Sequence, residues 1–456
     1  MGKLLAGAAK RKITIPDDIM KEMDELGSYS AYKGVYKDTY VRCLALTDGM
    51  EKLLIYSIEA GSFPGQRIFR EKAQKEFGID PDAVMLGNTH NHQGVNASAE
   101  GENPPGMSNP TGRLGELNDW IVDYFHNQSL NAAREALGNA VPAKMGYESG
   151  ESYINASRDW PTPVGGLQNS DYGGYSDREL PVMRVDSLEG ETIAILTNFG
   201  VHSNVLYSLR FDGSFPYACG DLGGEIMEFV ENAYAGKAVC LWTEAAAGDQ
   251  NPLFTAFSFG VRANPDGTFV KEKKDLDAKS AIVVLEHLAQ VQGLEILKTA
   301  KKIKNMTSDF DLHYGHTTRT VPGKVNARTM FKLGFKGSDD ADARMEVMPD
   351  ELEATPIQPG DPVEFKLHMV VLNGLALCGV NTEPYSYLGR IIKDVLPYPK
   401  AMIFAIDGGH VGYMPDVRKA EYAGFGTLDN HAQTPWDTEK AFYEGFRELA
   451  KKFEKG

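Results

Sequence analysis

Ala83-Val84-Met85-Leu86-Gly87-Asn88-Thr89-His90-Asn91-His92-Gln93-Gly94 is the segment from which this sequence is best approached. Four apolar residues after the turn signal Pro81-Asp82 predict a short buried strand. Side chains alternate faces along a strand, so a strand that continues through the histidines points His90 and His92 the same way. Two imidazoles leaving a strand end among small and polar residues suit a metal ion or a proton in transit. His-x-His is a short pattern, however, and a surface loop with two incidental histidines satisfies it equally well. The rest of the chain has to decide.

Outward from this segment the same grammar recurs: an apolar strand, then a small polar loop bearing a potential ligand. Strands are predicted at 5–17, 41–46 and 53–58, the last two joined by the hairpin signal Thr47-Asp48-Gly49, followed by a helix at 67–77. A strand at 193–199 runs into Asn198-Phe199-Gly200-Val201-His202, and one at 238–242 into Ala245-Ala246-Ala247-Gly248-Asp249-Gln250-Asn251-Pro252, whose small residues permit close backbone approach. In the last third, strands at 364–372, 376–380 and 401–406 alternate with one helix at 386–395, and the polar segments at their ends carry Glu383 and Tyr413. Residues 98–114 and 155–177 read as long polar loops, and helices are predicted at 116–137, 225–234 and 275–304. The last of these is the most periodic, with Ala281, Val284, Leu285, Leu288, Val291, Leu294 and Leu297 on its core face. His287, His313 and His316 read as structural, the last two with no carboxylate nearby. The class is mixed α/β, with sheets flanked by helices and ligands on strand-end loops, in a single domain spanning 1–456.

A formal charge of −16 argues against nucleic acid or an anionic membrane as the main partner, since both reward basic patches. The four cysteines, Cys43, Cys219, Cys240 and Cys378, have neither metal-ligand nor disulfide-framework spacing and read as buried free thiols. The N-terminus lacks an apolar core of signal-peptide length, and no later run looks long enough to span a bilayer, so the expected location is the cytoplasm, without stable membrane anchoring.

Loops at strand ends are where α/β scaffolds gather catalytic side chains. Two or three imidazoles with a carboxylate make a hydrolytic zinc site, provided His90, His92, His202, Asp249, Glu383 and Tyr413 converge. The chain also resembles a known family, the neutral/alkaline (non-lysosomal) ceramidases, over their catalytic domain. Ala6-Gly7-Ala8-Ala9-Lys10 with Ile13-Thr14-Ile15-Pro16 is similar to that family's first strand, and Thr89-His90-Asn91-His92-Gln93-Gly94 to its His-Thr-His-Ser-Gly segment. Asn198-Phe199-Gly200-Val201-His202 is similar to Asn-Phe-Ala-Ala-His, Gly220-Asp221-Leu222-Gly223 to the Asp-x-x-Gly that follows, and Gly248-Asp249-Gln250-Asn251-Pro252 to Gly-Asp-Val-Ser-Pro. Thr382-Glu383-Pro384 with Gly389-Arg390, and Gly412-Tyr413-Met414-Pro415, resemble its Gly-Glu…Gly-Arg and late tyrosine segments. Each match is weak; in this order along the chain they are specific together.

The resemblance implies a zinc ion held by His90, His202, Glu383 and Tyr413. It places His92 just outside, hydrogen-bonding the attacking water or the substrate carbonyl, and Arg158 on the substrate or its oxyanion. Asp249 would orient the loop or a ligand. Three departures stand out. The family's reactive serine is replaced by Ala245, so hydrolysis must rely on water activated by zinc. Its second active-site tyrosine falls near Phe425, with Tyr422 close enough to substitute, and the family's C-terminal immunoglobulin-like domain is expected to be missing. The expected activity is a zinc-dependent hydrolase (amidase- or ceramidase-like) cleaving an amide or ester. The loops at 96–112 and 155–177, with Trp160, Tyr172 and Tyr175 among hydrogen-bonding residues, suit a small polar substrate better than an acyl chain. A metal-dependent lyase or isomerase acting on a carbohydrate or hydroxy acid, and a non-catalytic ligand-binding relative, are the alternatives. A homo-oligomer is compatible with all three.

Overall fold

Both faces of the central strands are apolar, and that sets the layering. The computed structural model describes residues 2–28, 31–99, 109–162, 165–206, 217–324, 359–415, 434 and 438–454. In it the strand Tyr40–Thr47 sends Val41, Cys43 and Ala45 into one apolar cluster and Leu44 and Leu46 into another. The strand Val239–Glu244 likewise puts Cys240 and Trp242 on one side and Leu241 on the other. Strands of this kind must be covered on both faces.

The larger sheet has eight strands: β1 (Leu5–Lys12), β2 (Tyr40–Thr47), β3 (Lys52–Ile58), β4 (Val84–Asn88), β5 (Val141–Glu151), β6 (Glu179–Ser187), β7 (Thr192–Phe199) and β8 (Val239–Glu244). Their spatial order is β8-β7-β6-β5-β1-β2-β3-β4, with β3/β4 and β7/β8 parallel and the other pairs antiparallel. A four-stranded sheet, β9 (Leu312–Lys324), β10 (Pro359–Leu372), β11 (Leu375–Val380) and β12 (Lys400–Ala405), packs against it through Leu44, Ile55, Met85 and Leu196 on one side and Val370, Leu377 and Phe404 on the other. Helices close the outer faces. α1 (Asp17–Glu25), α2 (Gln66–Phe77) and α3 (Gly112–Gly138) cover β1 to β4, and α4 (Asp221–Ala233) and α5 (Ala278–Lys302) cover β6 to β8. α6 (Ser386–Val395) and α7 (Lys440–Phe453) cover the smaller sheet. The class is therefore mixed α/β, in four layers: helices, sheet, sheet, helices.

Sheet twist accumulates from strand to strand, and here it brings the two edge strands of the larger sheet together. A Cβ on Gly87 of β4 would lie 2.3 Å from Thr243 Cγ2 of β8, so only glycine fits that crossing. Asparagine side chains then stitch the sheets at the same end. Asn88 Nδ2 donates to Ala405 O (2.9 Å), and Asn198 donates to Ile403 O (2.7 Å) while accepting from Ile403 N (3.0 Å). These amides give the outer edge of β12 the partners that a further strand would supply. The C-terminal ends of β4, β7, β8, β11 and β12 thus open onto one place.

Several expectations are corrected. β4 stops at Asn88 and does not continue through the histidines. The segment 155–177, expected as a loop, contains the paired strands Asn155–Thr162 and Gly165–Asp171. Alternation of small and polar residues hid them, because the apolar signal for a half-buried strand is absent. α7 was not anticipated; its Phe442, Phe446 and Leu449 pack under the smaller sheet. On α5, Val291 (39% exposed) and Leu294 (58%) lie outside the core face, where Gln292, Gly293 and Ile296 are buried instead. Trp242 Nε1 donates to Gln292 Oε1 (2.8 Å), so the helix is rotated to satisfy that buried amide. α5 is also long and apolar enough by length and composition to cross a membrane, contrary to expectation; its inner face packs on α4. His313 and His316 do have carboxylates beside them at the surface, Asp311 at 3.5 Å and Asp82 at 2.7 Å. The four cysteines are buried and free. Of the long loop expected at 98–114, residues 100–108 lie outside the described residues.

His126 on α3 offers a stability test away from the strand ends. Its Nε2 lies 2.7 Å from Pro64 O and its Nδ1 3.1 Å from Lys72 Nζ, so Nε2 donates, Nδ1 accepts, and the ring is neutral. Burial pushes its pKa down to about 4, Lys72 adding to the effect while Pro64 opposes it. The unfolded chain therefore binds the extra proton first as pH falls. Stability present above pH ~6.5 should be lost progressively down to pH ~4, by about 3 kcal/mol in all. Urea midpoints measured across that range should fall in the native protein, and fall less in His126→Gln; equal slopes would contradict the assignment.

Candidate metal centre

His90 reaches the site through a break in its strand. Asn88 Oδ1 accepts from His90 N (2.9 Å), and His90 takes φ 48°, a left-handed conformation that costs a non-glycine residue roughly 1 kcal/mol or more. Such strain is kept where the surroundings need that side chain in one place. The two histidines of the first segment converge all the same: the His90 and His92 rings are 4.8 Å apart at 83°. His202, from the end of β7, stands 4.8 Å from the His90 ring at 85°. The candidate ligand atoms of His90, His92 and His202 all lie within 4.8 Å of one another. Behind His202 the chain is held by Asp221, which accepts from Val205 N (3.0 Å), Leu206 N (3.1 Å) and Leu222 N (2.8 Å).

The tautomers follow from the carbonyls. His90 Nδ1 lies 2.9 Å from Gly61 O and His202 Nδ1 lies 3.1 Å from Gln250 O. A carbonyl only accepts, so both Nδ1 atoms carry hydrogen and both Nε2 atoms present lone pairs. Glu383 Oε2 sits 3.3 Å from each Nε2. All three atoms are buried and make no hydrogen bond. Three buried acceptor atoms this close together could hold a cation between them. A proton can stand in for one: burial opposes charge on His90, but Glu244 and Glu383 outweigh it and lift His90 to about 9. His202 is pushed down to about 3 by burial and then by Arg158, and His92 well below its ordinary value by burial and then by His90 and His202.

Glu383 and Tyr413 are neighbours by backbone pairing. Glu383–Pro384 runs parallel to Tyr413–Met414, with Glu383 N donating to Gly412 O (3.0 Å). Burial pushes the Tyr413 phenol up, and the Glu383 carboxylate beside it adds to that. On Glu383 burial works against the charge, but His90, His202 and His410 hold the carboxyl well below the usual range. Arg158 is buried with its guanidinium 5.3 Å from the centre of the Tyr413 ring and donates to Gly248 O (2.7 Å). Asp249 accepts from Ser386 N (2.8 Å) and Ser386 Oγ (3.1 Å), tying its loop to the start of α6. Gly248 is where that loop passes closest: a Cβ there would meet Glu383 O at 2.7 Å. Ala245, the residue after β8, donates its N–H to Phe199 O (3.0 Å) and offers no hydroxyl. Tyr422 and Phe425 lie outside the described residues.

Two site residues went unrecognised in the sequence. His410 Nε2 lies 2.8 Å from Glu383 Oε1 and braces it. Its own loop is pinned by Asp407, which is buried between Arg70 and His368 (Nδ1 to Oδ2, 2.8 Å). Glu244, the last residue of β8, lies beneath the His90 and His202 rings. An acidic residue closing an apolar strand was a readable signal for it; His410 had none beyond its place in a polar loop.

No family model matches the sequence, and no curated protein does. Among solved structures, neutral ceramidase from Pseudomonas aeruginosa matches with a TM-score of 0.68 at 13% identity, covering 99% of this chain and 75% of that one. A ceramidase complexed with C2 matches with a TM-score of 0.67 at 14% identity, covering 100% and 76%. The fold is that of the neutral ceramidases.

Proposed function

We propose that this chain, on the neutral ceramidase fold, is a zinc-dependent hydrolase cleaving an amide or ester bond in a small polar substrate. The observation that carries it is the convergence of His90 Nε2, His202 Nε2 and Glu383 Oε2, three buried atoms without a donor between them. Two imidazoles and a carboxylate are a donor set suited to zinc; the Tyr413 phenol stands beside them to complete it, and His92 lies just outside the set. Once bound, zinc polarises a substrate carbonyl and makes water acidic enough to attack near neutral pH.

The chain's own groups do the rest. His92, kept neutral, takes the proton at Nε2 and returns it to the leaving group. Arg158, whose charge faces Tyr413, steadies the negative oxygen that develops on the substrate. Asp249 keeps the loop carrying Gly248 against Glu383. Ala245 cannot form an acyl-enzyme, so attack is direct. Tyr175 and Tyr387 pack edge to face at 5.4 Å beside Gln250, whose carbonyl holds His202, which supports an aromatic and polar rim for the substrate.

Ala245 also leaves room for a lyase or isomerase, which would use the same Lewis acid and base on a hydroxy acid or sugar. Turnover of a panel of small amides and esters in heavy-oxygen water separates the two. Hydrolysis should place the label in the acid product; an unlabelled unsaturated or isomeric product would overturn the proposal.

A further inference from the structure

We propose that Glu244 is a positioning residue for the ion: its buried carboxylate bears on the Nδ1 sides of His90 and His202 and strengthens the grip of their Nε2 atoms. The inference rests on the metal-centre reading above. Glu244 Oε1 lies 3.6 Å from His202 Nδ1 and Oε2 lies 3.8 Å from His90 Nδ1, with the side chain 1% exposed. Glu383 faces the opposite, Nε2, side of the same two rings. The two imidazoles are therefore sandwiched between carboxylates, one on the side where an ion would bind and one behind.

Neither oxygen of Glu244 has a hydrogen-bond donor. Two other buried carboxylates near β7 and β8 are supplied with donors. Glu231 takes Arg42, Lys10 and the N–H of Cys240, and Asp221 takes three backbone N–H groups. A purely structural glutamate would have been given donors in the same way. Glu244 instead faces two Nδ1–H groups already committed to Gly61 O and Gln250 O, so its compensation is electrostatic. Positive charge delivered at Nε2 spreads through each ring to Nδ1–H, toward Glu244. Reciprocally, a carboxylate behind a ring makes its Nε2 a better donor.

The experiment compares Glu244→Gln, which keeps shape and removes charge, with Glu244→Asp, which keeps charge. Zinc and cobalt(II) affinities are measured by chelator competition, the visible spectrum of the cobalt-loaded protein is recorded, and thermal unfolding is followed in metal-free protein. Glu244→Gln should bind either ion about 10- to 100-fold more weakly, with a shifted cobalt spectrum, while its metal-free form melts no lower than the native protein. Glu244→Asp should recover most of the affinity. Unchanged affinity in Glu244→Gln, or a metal-free form that melts lower or fails to fold, would overturn the role. If the native protein itself bound neither ion, the metal-centre reading would fall first, and that result is distinct from equal binding by native and variant.

Discussion

His202→Ala is expected to empty the centre. Protein purified without chelator should carry one zinc per chain, and the variant close to none. Structural zinc is held by roughly 10–16 kcal/mol, so one donor among four is worth roughly 3–4 kcal/mol, a several-hundred-fold loss of affinity. The fold itself should survive. His202 contributes one carbonyl contact through Nδ1, whereas the loop after it is held by Asp221 through backbone N–H groups that the substitution leaves in place. Elemental analysis and circular dichroism of both proteins check this. A folded variant that keeps a full equivalent of metal would refute the ligand assignment. His92→Ala, tested beside it, separates the two roles open to that ring: as a proton carrier it should lose turnover and keep the ion, as a fourth ligand it should lose both.

Arg42→Met should be the most damaging substitution away from the strand ends. Arg42 sits on β2 with its side chain 2% exposed, between Glu59 and Glu231. Its Nε donates to Glu231 Oε1 at 2.7 Å and its Nη1 to Glu59 Oε1. Glu231 keeps Lys10 Nζ (2.7 Å) and Cys240 N (3.2 Å), but Glu59 loses its only charged partner among the described contacts. Breaking a buried pair from one side typically costs about 3–5 kcal/mol, because a charge is left unpaired in low dielectric. Replacing the acids as well removes that penalty. Urea unfolding should show the single variant destabilised by that amount, and Arg42→Met with Glu59→Gln should recover part of it. A single variant within about 0.5 kcal/mol of the native protein would mean the surface-like behaviour of an exposed pair.

The candidate ligands could be found in the sequence because each follows the end of a readable strand. β4, β7, β11 and β12 are short apolar runs bounded by turn residues; His90, His202 and Glu383 come within three residues of the ends of the first three, and Tyr413 follows β12 across a longer polar loop. Strand-end loops gather ligands in many α/β folds, so the grammar carried information before any convergence was known. The small polar strands at 155–171 did not follow that grammar and were missed. The rotation of α5 was missed for a related reason: hydropathy ranked Leu294 above Gln292, whereas the buried N–H of Trp242 needed the amide.

By itself the sequence determined the mixed α/β class, the hairpin of β2 and β3, and a short roster of strand-end residues capable of holding an ion. Those are local properties, written in the alternation and punctuation of neighbouring residues. Tertiary structure alone decided that His90 leaves its strand in a left-handed turn, that the edge strands meet at Gly87 and Thr243, and that Glu244 and His410 join the centre from behind. The reason is physical. Convergence depends on the accumulated twist of eight strands and on which lone pairs end up facing one another without a proton, and neither quantity is carried by any single stretch of chain.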